Sequence, residues 1–115
     1  MALQEASAVA MADGCAQATG RPPLVTLHSA AGLGYGLCSV YTAFRNRSPV
    51  VVLAGQQVRS MHPTDRYLYA EQSTLFPRPY VKWAIEPARA QEVPPAFARS
   101  LHTAAQRPAV VWAGG

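Results

Sequence analysis

From residue 5 to residue 19 the hydrophobic pattern is carried by small side chains. Ala8, Val9, Ala12 and Ala16 recur at helical spacing and Gly20 follows as a stop, which predicts a helix packed closely on a neighbour. After Gly20, Arg21, Pro22 and Pro23, the run LVTLHS is β-branched and leucine-rich, too short for a helix, and predicts a buried strand ending at His28. Gly32, Gly34 and Gly36 then lead into Leu33, Leu37, Val40, Tyr41 and Phe44, spaced i, i+4, i+7, i+8 and i+11, which predicts a second, amphipathic helix. Residues 46–49 break that pattern, and the continuous apolar run at residues 50–54 predicts a central strand of a parallel sheet covered on both faces.

Residues 55–79 are polar, contain Pro63, Pro77 and Pro79, and show no clean period, so they predict an irregular excursion with at most a short helix. Residues 81–85 predict another strand. Val93, Phe97 and Leu101 mark a helix with Pro94 and Pro95 in its first turn, where proline is tolerated, and residues 108–113 make a last apolar run. The alternation predicts an α/β fold: a mostly parallel sheet with flanking helices and right-handed crossovers. The chain opens on a helix with only residues 1–3 ahead of it and stops just after a core strand, so the expectation is a fold trimmed at both ends.

Composition narrows the possibilities. With 115 residues, 50% hydrophobic and 14% charged, the chain supports one modest core and no second domain. The net charge of +4 comes mainly from arginines scattered between Arg21 and Arg107, without the clustering that nucleic-acid binding requires. Cys15 and Cys38 make no disulfide framework, and no Cys/His cluster has metal-ligand spacing. There is neither a signal-peptide pattern nor an apolar run of membrane-spanning length, so the expected location is the cytoplasm.

HSAAGLGYG follows a strand and opens a helix, as a dinucleotide fingerprint does. The third glycine of that fingerprint would fall at Leu37, however, and the next acid, Asp65, is too far away to bind a ribose. A Walker loop is absent. The glycines therefore read as a tight turn and close helix packing. His28 stands at the carboxyl end of a strand, where open α/β sheets hold ligands, although a lone histidine is also commonly satisfied by a carbonyl. Glu5 opens a helix poor in charge, either as chemistry or as an acid that complements the macrodipole.

LQEASAVAMADGCAQATGRPP, LHSAAGLGYG, SPVVVLAGQQ, LFPRPYVKW and EPARAQEVP together resemble the pyrimidine-binding domain of thiamine diphosphate-dependent 2-oxo-acid decarboxylases, with the benzoylformate decarboxylase subgroup nearest. The resemblance runs from Leu3 to about Pro108 and implies a partial N-terminal pyrimidine-binding domain over residues 1–115. It implies that Glu5 binds N1′ of the cofactor's aminopyrimidine and promotes loss of the thiazolium C2 proton. It implies that His28 donates or accepts a proton during decarboxylation of an aromatic 2-oxo acid to an aldehyde. It implies that Ser29, adjacent to His28, hydrogen-bonds substrate or cofactor, and that Leu68 either shapes the substrate pocket or simply packs.

The family holds the cofactor's diphosphate through Mg2+ on a GDG motif and an asparagine pair in a separate domain, and no GDG occurs here: Asp13 has Ala12 before it and Gly14 after it. The resemblance thus implies a diphosphate-binding domain on a full-length or separate subunit as partner, in a homodimer or homotetramer, and no activity from this chain alone. Two alternatives are the small subunit of a split decarboxylase and a non-catalytic module that docks on full-length subunits.

Overall fold

In a computed structural model, which describes residues 1–106 and 111–114, the apolar run at residues 50–54 becomes an interior strand. The sheet has four strands, β1 (Leu24–Leu27), β2 (Val51–Ala54), β3 (Trp83–Ile85) and β4 (Val111–Gly114), in the order β1-β2-β4-β3. All three pairings are parallel, with Leu24 opposite Val51, and with Val51 and Trp83 both opposite Val111. Three helices alternate with them: α1 (Glu5–Thr19), α2 (Ser29–Asn46) and α3 (Val93–Gln106). The α/β alternation read from the sequence is the observed one. Of the predicted last run, residues 108–110 lie outside the described residues.

Successive strand residues point to opposite faces, so the register sorts the core into two layers. Val25, Leu27, Val52 and Ala54 are buried with Val9 and Ala16 of α1 and Leu33 and Val40 of α2. Val51 faces the other way and packs with Ala104, Leu101 and Trp83. Leu24 and Thr26 share that second face, but α3 packs on β2, β3 and β4 rather than on β1, and Leu24 stays 45% exposed. The expectation of a buried first strand is therefore corrected to an alternating one. β1 is an edge strand with helices over only one of its faces among the described residues.

α1 ends as its sequence demands: Gly20 adopts the left-handed conformation at φ 67°, and its N–H donates to the Ala16 carbonyl at 2.8 Å. Between its ends α1 lies against α2 through small residues. A Cβ at Gly36 would stand 3.1 Å from Leu27 Cδ1 and 3.4 Å from Val9 Cγ2, so only glycine lets the helices and β1 meet this closely. The Ser39 hydroxyl donates to the Ala6 carbonyl at 2.8 Å across the same seam.

Asp13 fastens the other end of the pair. It is buried on α1 and accepts hydrogen bonds from Gln17 Nε2 at 2.9 Å, from Asn46 Nδ2 at 2.8 Å and from the Ser48 hydroxyl. Asn46 closes α2 and Ser48 lies two residues beyond, so a single carboxylate ties α1 to the exit of α2. Burial pushes the Asp13 carboxyl up, but the Ser48, Gln17 and Asn46 hydrogen bonds together outweigh it and hold the carboxyl below its ordinary value of 3.8.

The irregular segment after β2 is pinned rather than loose. It contains one short 3-10 turn, Arg59–Thr64. The Gln56 side-chain amide donates to the Ala70 carbonyl at 2.8 Å and accepts from the Ala70 N–H at 3.3 Å. The Ser73 hydroxyl donates to Glu86, and the His62 and Tyr69 rings stack at 4.4 Å.

The Asp13 network generates a pH prediction. A carboxyl whose folded pKa lies below its unfolded value contributes stability that is fully present above the unfolded pKa and lost as pH falls through the folded one. Urea unfolding is expected to show a decline in stability from about pH 4 downward. Asp13→Ala is expected to cost about 2–3 kcal/mol at neutral pH and to flatten that acid limb.

Candidate functional site

A parallel sheet presents the carboxyl ends of its strands and the amino ends of the following helices along one edge, and ligands bind there. His28 is the single residue between β1 and α2, with extended backbone and an exposed side chain that does not cap the helix. Glu5 is the first residue of α1 and is half-buried. The structure brings the two together on the wall of one groove of about 290 Å³ that also takes in Gln4 and Leu27. On its other side Glu5 lines a second groove of about 370 Å³ with Tyr35. Among the described residues, neither the Glu5 carboxyl nor the His28 imidazole makes a hydrogen bond to the protein. Both are thus free to engage a ligand.

Gly32, in the first turn of α2, is buried beneath Glu5. A Cβ on it would stand 3.2 Å from Glu5 Oε1 and 3.3 Å from Glu5 Cγ. The sequence signal for this contact was the glycine cluster Gly32, Gly34 and Gly36, read as a tight turn and close helix packing. Neither the contact of Gly32 with the carboxyl nor the place of Tyr35 on the second groove was read from the sequence.

Ser29 and Leu68 lie elsewhere. Ser29 turns the chain from β1 into α2 with φ at 57°, a left-handed conformation that a non-glycine residue holds at a cost of about 1–2 kcal/mol. Its Oγ is buried with no hydrogen-bond partner among the described residues. Ser29 lines a cavity of about 10 Å³ with Gln56, Ser73 and Phe76, on neither of the Glu5 grooves. Leu68 is half-buried in a turn of the segment after β2 and does not line the groove of Glu5 and His28. Among the described residues no three His, Cys, Asp or Glu side chains gather as metal ligands, and no helix is long and apolar enough to cross a membrane.

The sequence profile described as "Thiamine pyrophosphate enzyme, N-terminal TPP binding domain" matches residues 1–75. The chain belongs to this family. Among its relatives, the benzoylformate decarboxylase of Pseudomonas aeruginosa is 45% identical over 108 residues, which cover 94% of this chain and 20% of that protein. The crystal structure of benzoylformate decarboxylase from Polynucleobacter necessarius superposes with a TM-score of 0.94 at 43% identity, covering 98% of this chain and 22% of that one. The thiamine diphosphate-dependent 4-hydroxybenzoylformate decarboxylase of Rhodococcus jostii RHA1 gives a TM-score of 0.93 at 35% identity, covering 97% and 21%. The chain spans about a fifth of the length of the relatives it matches.

The strain at Ser29 yields a stability prediction. Ser29→Gly is expected to hold or raise the urea midpoint. The β-branched Ser29→Val, which resists a positive φ, is expected to lower stability by about 2 kcal/mol or more.

Proposed function

We propose that this chain is the partial pyrimidine-binding domain, residues 1–115, of a thiamine diphosphate-dependent enzyme that decarboxylates an aromatic 2-oxo acid of the benzoylformate type to an aldehyde. The observation that carries the reading is the meeting of Glu5, at the start of α1, and His28, just after β1, on one groove, with their side chains making no hydrogen bond to protein among the described residues. The two aromatic 2-oxo-acid decarboxylases among the structural neighbours support the substrate class.

The residues present fit the aminopyrimidine end of the cofactor. A half-buried carboxyl at a helix amino end, free of protein hydrogen bonds among the described residues, has the donor and acceptor capacity that a pyrimidine ring nitrogen requires. Glu5 would hold that nitrogen and the proton on it. Bound, thiamine diphosphate supplies the electron sink for the pair left when carbon dioxide departs. His28, exposed at the groove, would give or take a proton at the substrate oxygen or the adjacent carbon. Ser29 lies off the Glu5 grooves, and its buried Oγ, without a protein partner among the described residues, would offer its hydroxyl to substrate or cofactor only in the assembled site. Leu68, which lies off that groove, would either form part of the wall against the aromatic ring in the assembled site or simply pack.

The diphosphate and its Mg2+ would be held by a diphosphate-binding domain on a full-length or separate subunit, within the cytoplasm. The chain alone would therefore be inactive, because without that domain nothing positions the reacting carbon against the substrate.

Incubated with benzoylformate, thiamine diphosphate and Mg2+, the chain alone is expected to release no benzaldehyde above background. Supplied with a partner chain carrying the diphosphate-binding domain, it is expected to do so. In that assembly Glu5→Gln is expected to lower kcat by roughly 10²- to 10⁴-fold, and His28→Ala by about 10²-fold. Aldehyde release indifferent to Glu5→Gln would overturn the assignment.

A further inference from the structure

Gly32 and Gly36 stand four residues apart on α2 and so share the face that meets α1. They face different things. A Cβ at position 36 would press on Leu27 and Val9, which are core side chains, with the Glu5 carbonyl oxygen 3.8 Å away. At position 32 the nearest atoms are all from the Glu5 side chain: Oε1 at 3.2 Å, Cγ at 3.3 Å and Cδ at 3.6 Å. Gly34 points away from the seam, and a Cβ there would make only ordinary contact with Phe76 at 3.7 Å.

Which atoms would move if position 32 carried a methyl group follows from what is fixed. The backbone of α1 cannot slide away from α2: the Gly36 contact and the Ser39 hydrogen bond to Ala6 hold it near Glu5, and Asp13 bonded to Asn46 and Ser48 holds it at the far end. The movable element is the Glu5 side chain, which has three rotatable bonds, is half-buried and has no hydrogen bond to the protein among the described residues. A contact of 3.2 Å requires a shift of a few tenths of an ångström or a change of rotamer, and the carboxyl would take it.

We infer that Gly32 is a positioning residue: its missing side chain lets the Glu5 carboxyl lie across the first turn of α2 and fixes where its oxygens meet a bound aminopyrimidine. The inference rests on the reading of Glu5 given under Proposed function. Gly32 touches no reacting atom and acts through Glu5 alone.

A double-mutant cycle on the full chain, titrated with thiamine and followed by NMR, tests this with no turnover involved. Glu5→Gln is expected to weaken thiamine binding, and Gly32→Ala to weaken it by about tenfold, the factor carried by one hydrogen bond to a charged group. In the Glu5→Gln background, Gly32→Ala is expected to add less than about twofold, and Gly34→Ala to have no effect in either background. The cross-peak between the Gly32 α-protons and the Glu5 γ-protons is expected in the unsubstituted chain. In the Gly32→Ala chain, the Glu5 γ-protons are expected to show altered couplings while the unfolding midpoint stays within a few degrees.

Glu5-dependent binding that ignores Gly32→Ala, or equal losses from Gly32→Ala in both backgrounds, would overturn the inference and leave the role of Glu5 standing. Unfolding of the Gly32→Ala chain would overturn it too, by making Gly32 a packing residue. Thiamine binding indifferent to Glu5→Gln would instead remove the reading of Glu5 on which the inference rests.

Discussion

The contact between α1 and α2 is the constraint on which the rest of the structure depends. It is built from absences and one charge. Gly36 removes the methyl group that would hold α2 off Val9 and Leu27, Ser39 bonds the first turn of α1, and Asp13 bonds the last residue of α2 and the turn beyond it. Close helix approach gains dispersion contacts, of which a gap of about 0.5–1 Å would forfeit roughly a quarter to a half. The charge adds direction: a buried carboxylate must keep its hydrogen bonds, so the far ends of the two helices cannot separate without stripping Asp13 of its bonds from Asn46 and Ser48, at about 1–3 kcal/mol. One seam thereby sets both the packing of the sheet's first layer and the position of Glu5 at its open end.

The sheet turns that seam into a site. Because every described strand pairing is parallel, the ends of the strands and the starts of the helices after them collect on one edge, and β1 delivers His28 there beside the start of α1. The two layers are unequal. α1 and α2 cover β1 and β2 on one face, whereas on the other α3 leaves an apolar groove of about 600 Å³ beside Leu24, Thr26, Leu53 and Phe97. Stability therefore resides mainly on the face that also carries Glu5. Rigidity at the site and the density of the core come from the same side chains.

The elements were legible where a residue acts through its own neighbours along the chain. Glu5 to Gly20 could be read as a helix with its stop, because small-residue spacing and a glycine cap are local signals, and residues 50–54 announced an interior strand by having no polar position. Asp13 was illegible for the opposite reason: an acid in a helix reads as a solvent-facing residue until Asn46 and Ser48, 33 and 35 residues on, are brought to it. The same holds for Gln56, whose amide pins Ala70 with no pattern in the sequence to announce it. β1 read as buried because Leu24 and Thr26 suit a core strand, and only its place at the sheet edge exposes them. At the site, Glu5 and His28 were legible from position and resemblance. The left-handed Ser29 was not, since no side-chain rule announces a positive φ at serine.

Glu5 itself shows why geometry rather than charge decides its meaning. An acid in the first turn of a helix gains some 0.3–1 kcal/mol from the macrodipole, and any exposed carboxylate at that turn would collect it. Glu5 instead lies across Gly32, half-buried and without a protein donor among the described residues, giving up part of its hydration for no internal hydrogen bond. For a buried carboxyl that loss would be about 1–3 kcal/mol, and even a fraction of it cancels the dipole's return. The macrodipole therefore accounts for an acid at the start of α1 but not for a carboxyl seated on a glycine at the boundary of two grooves. That placement leaves the carboxyl open, on both grooves, to a hydrogen-bond donor from outside the chain, which a helix cap does not require.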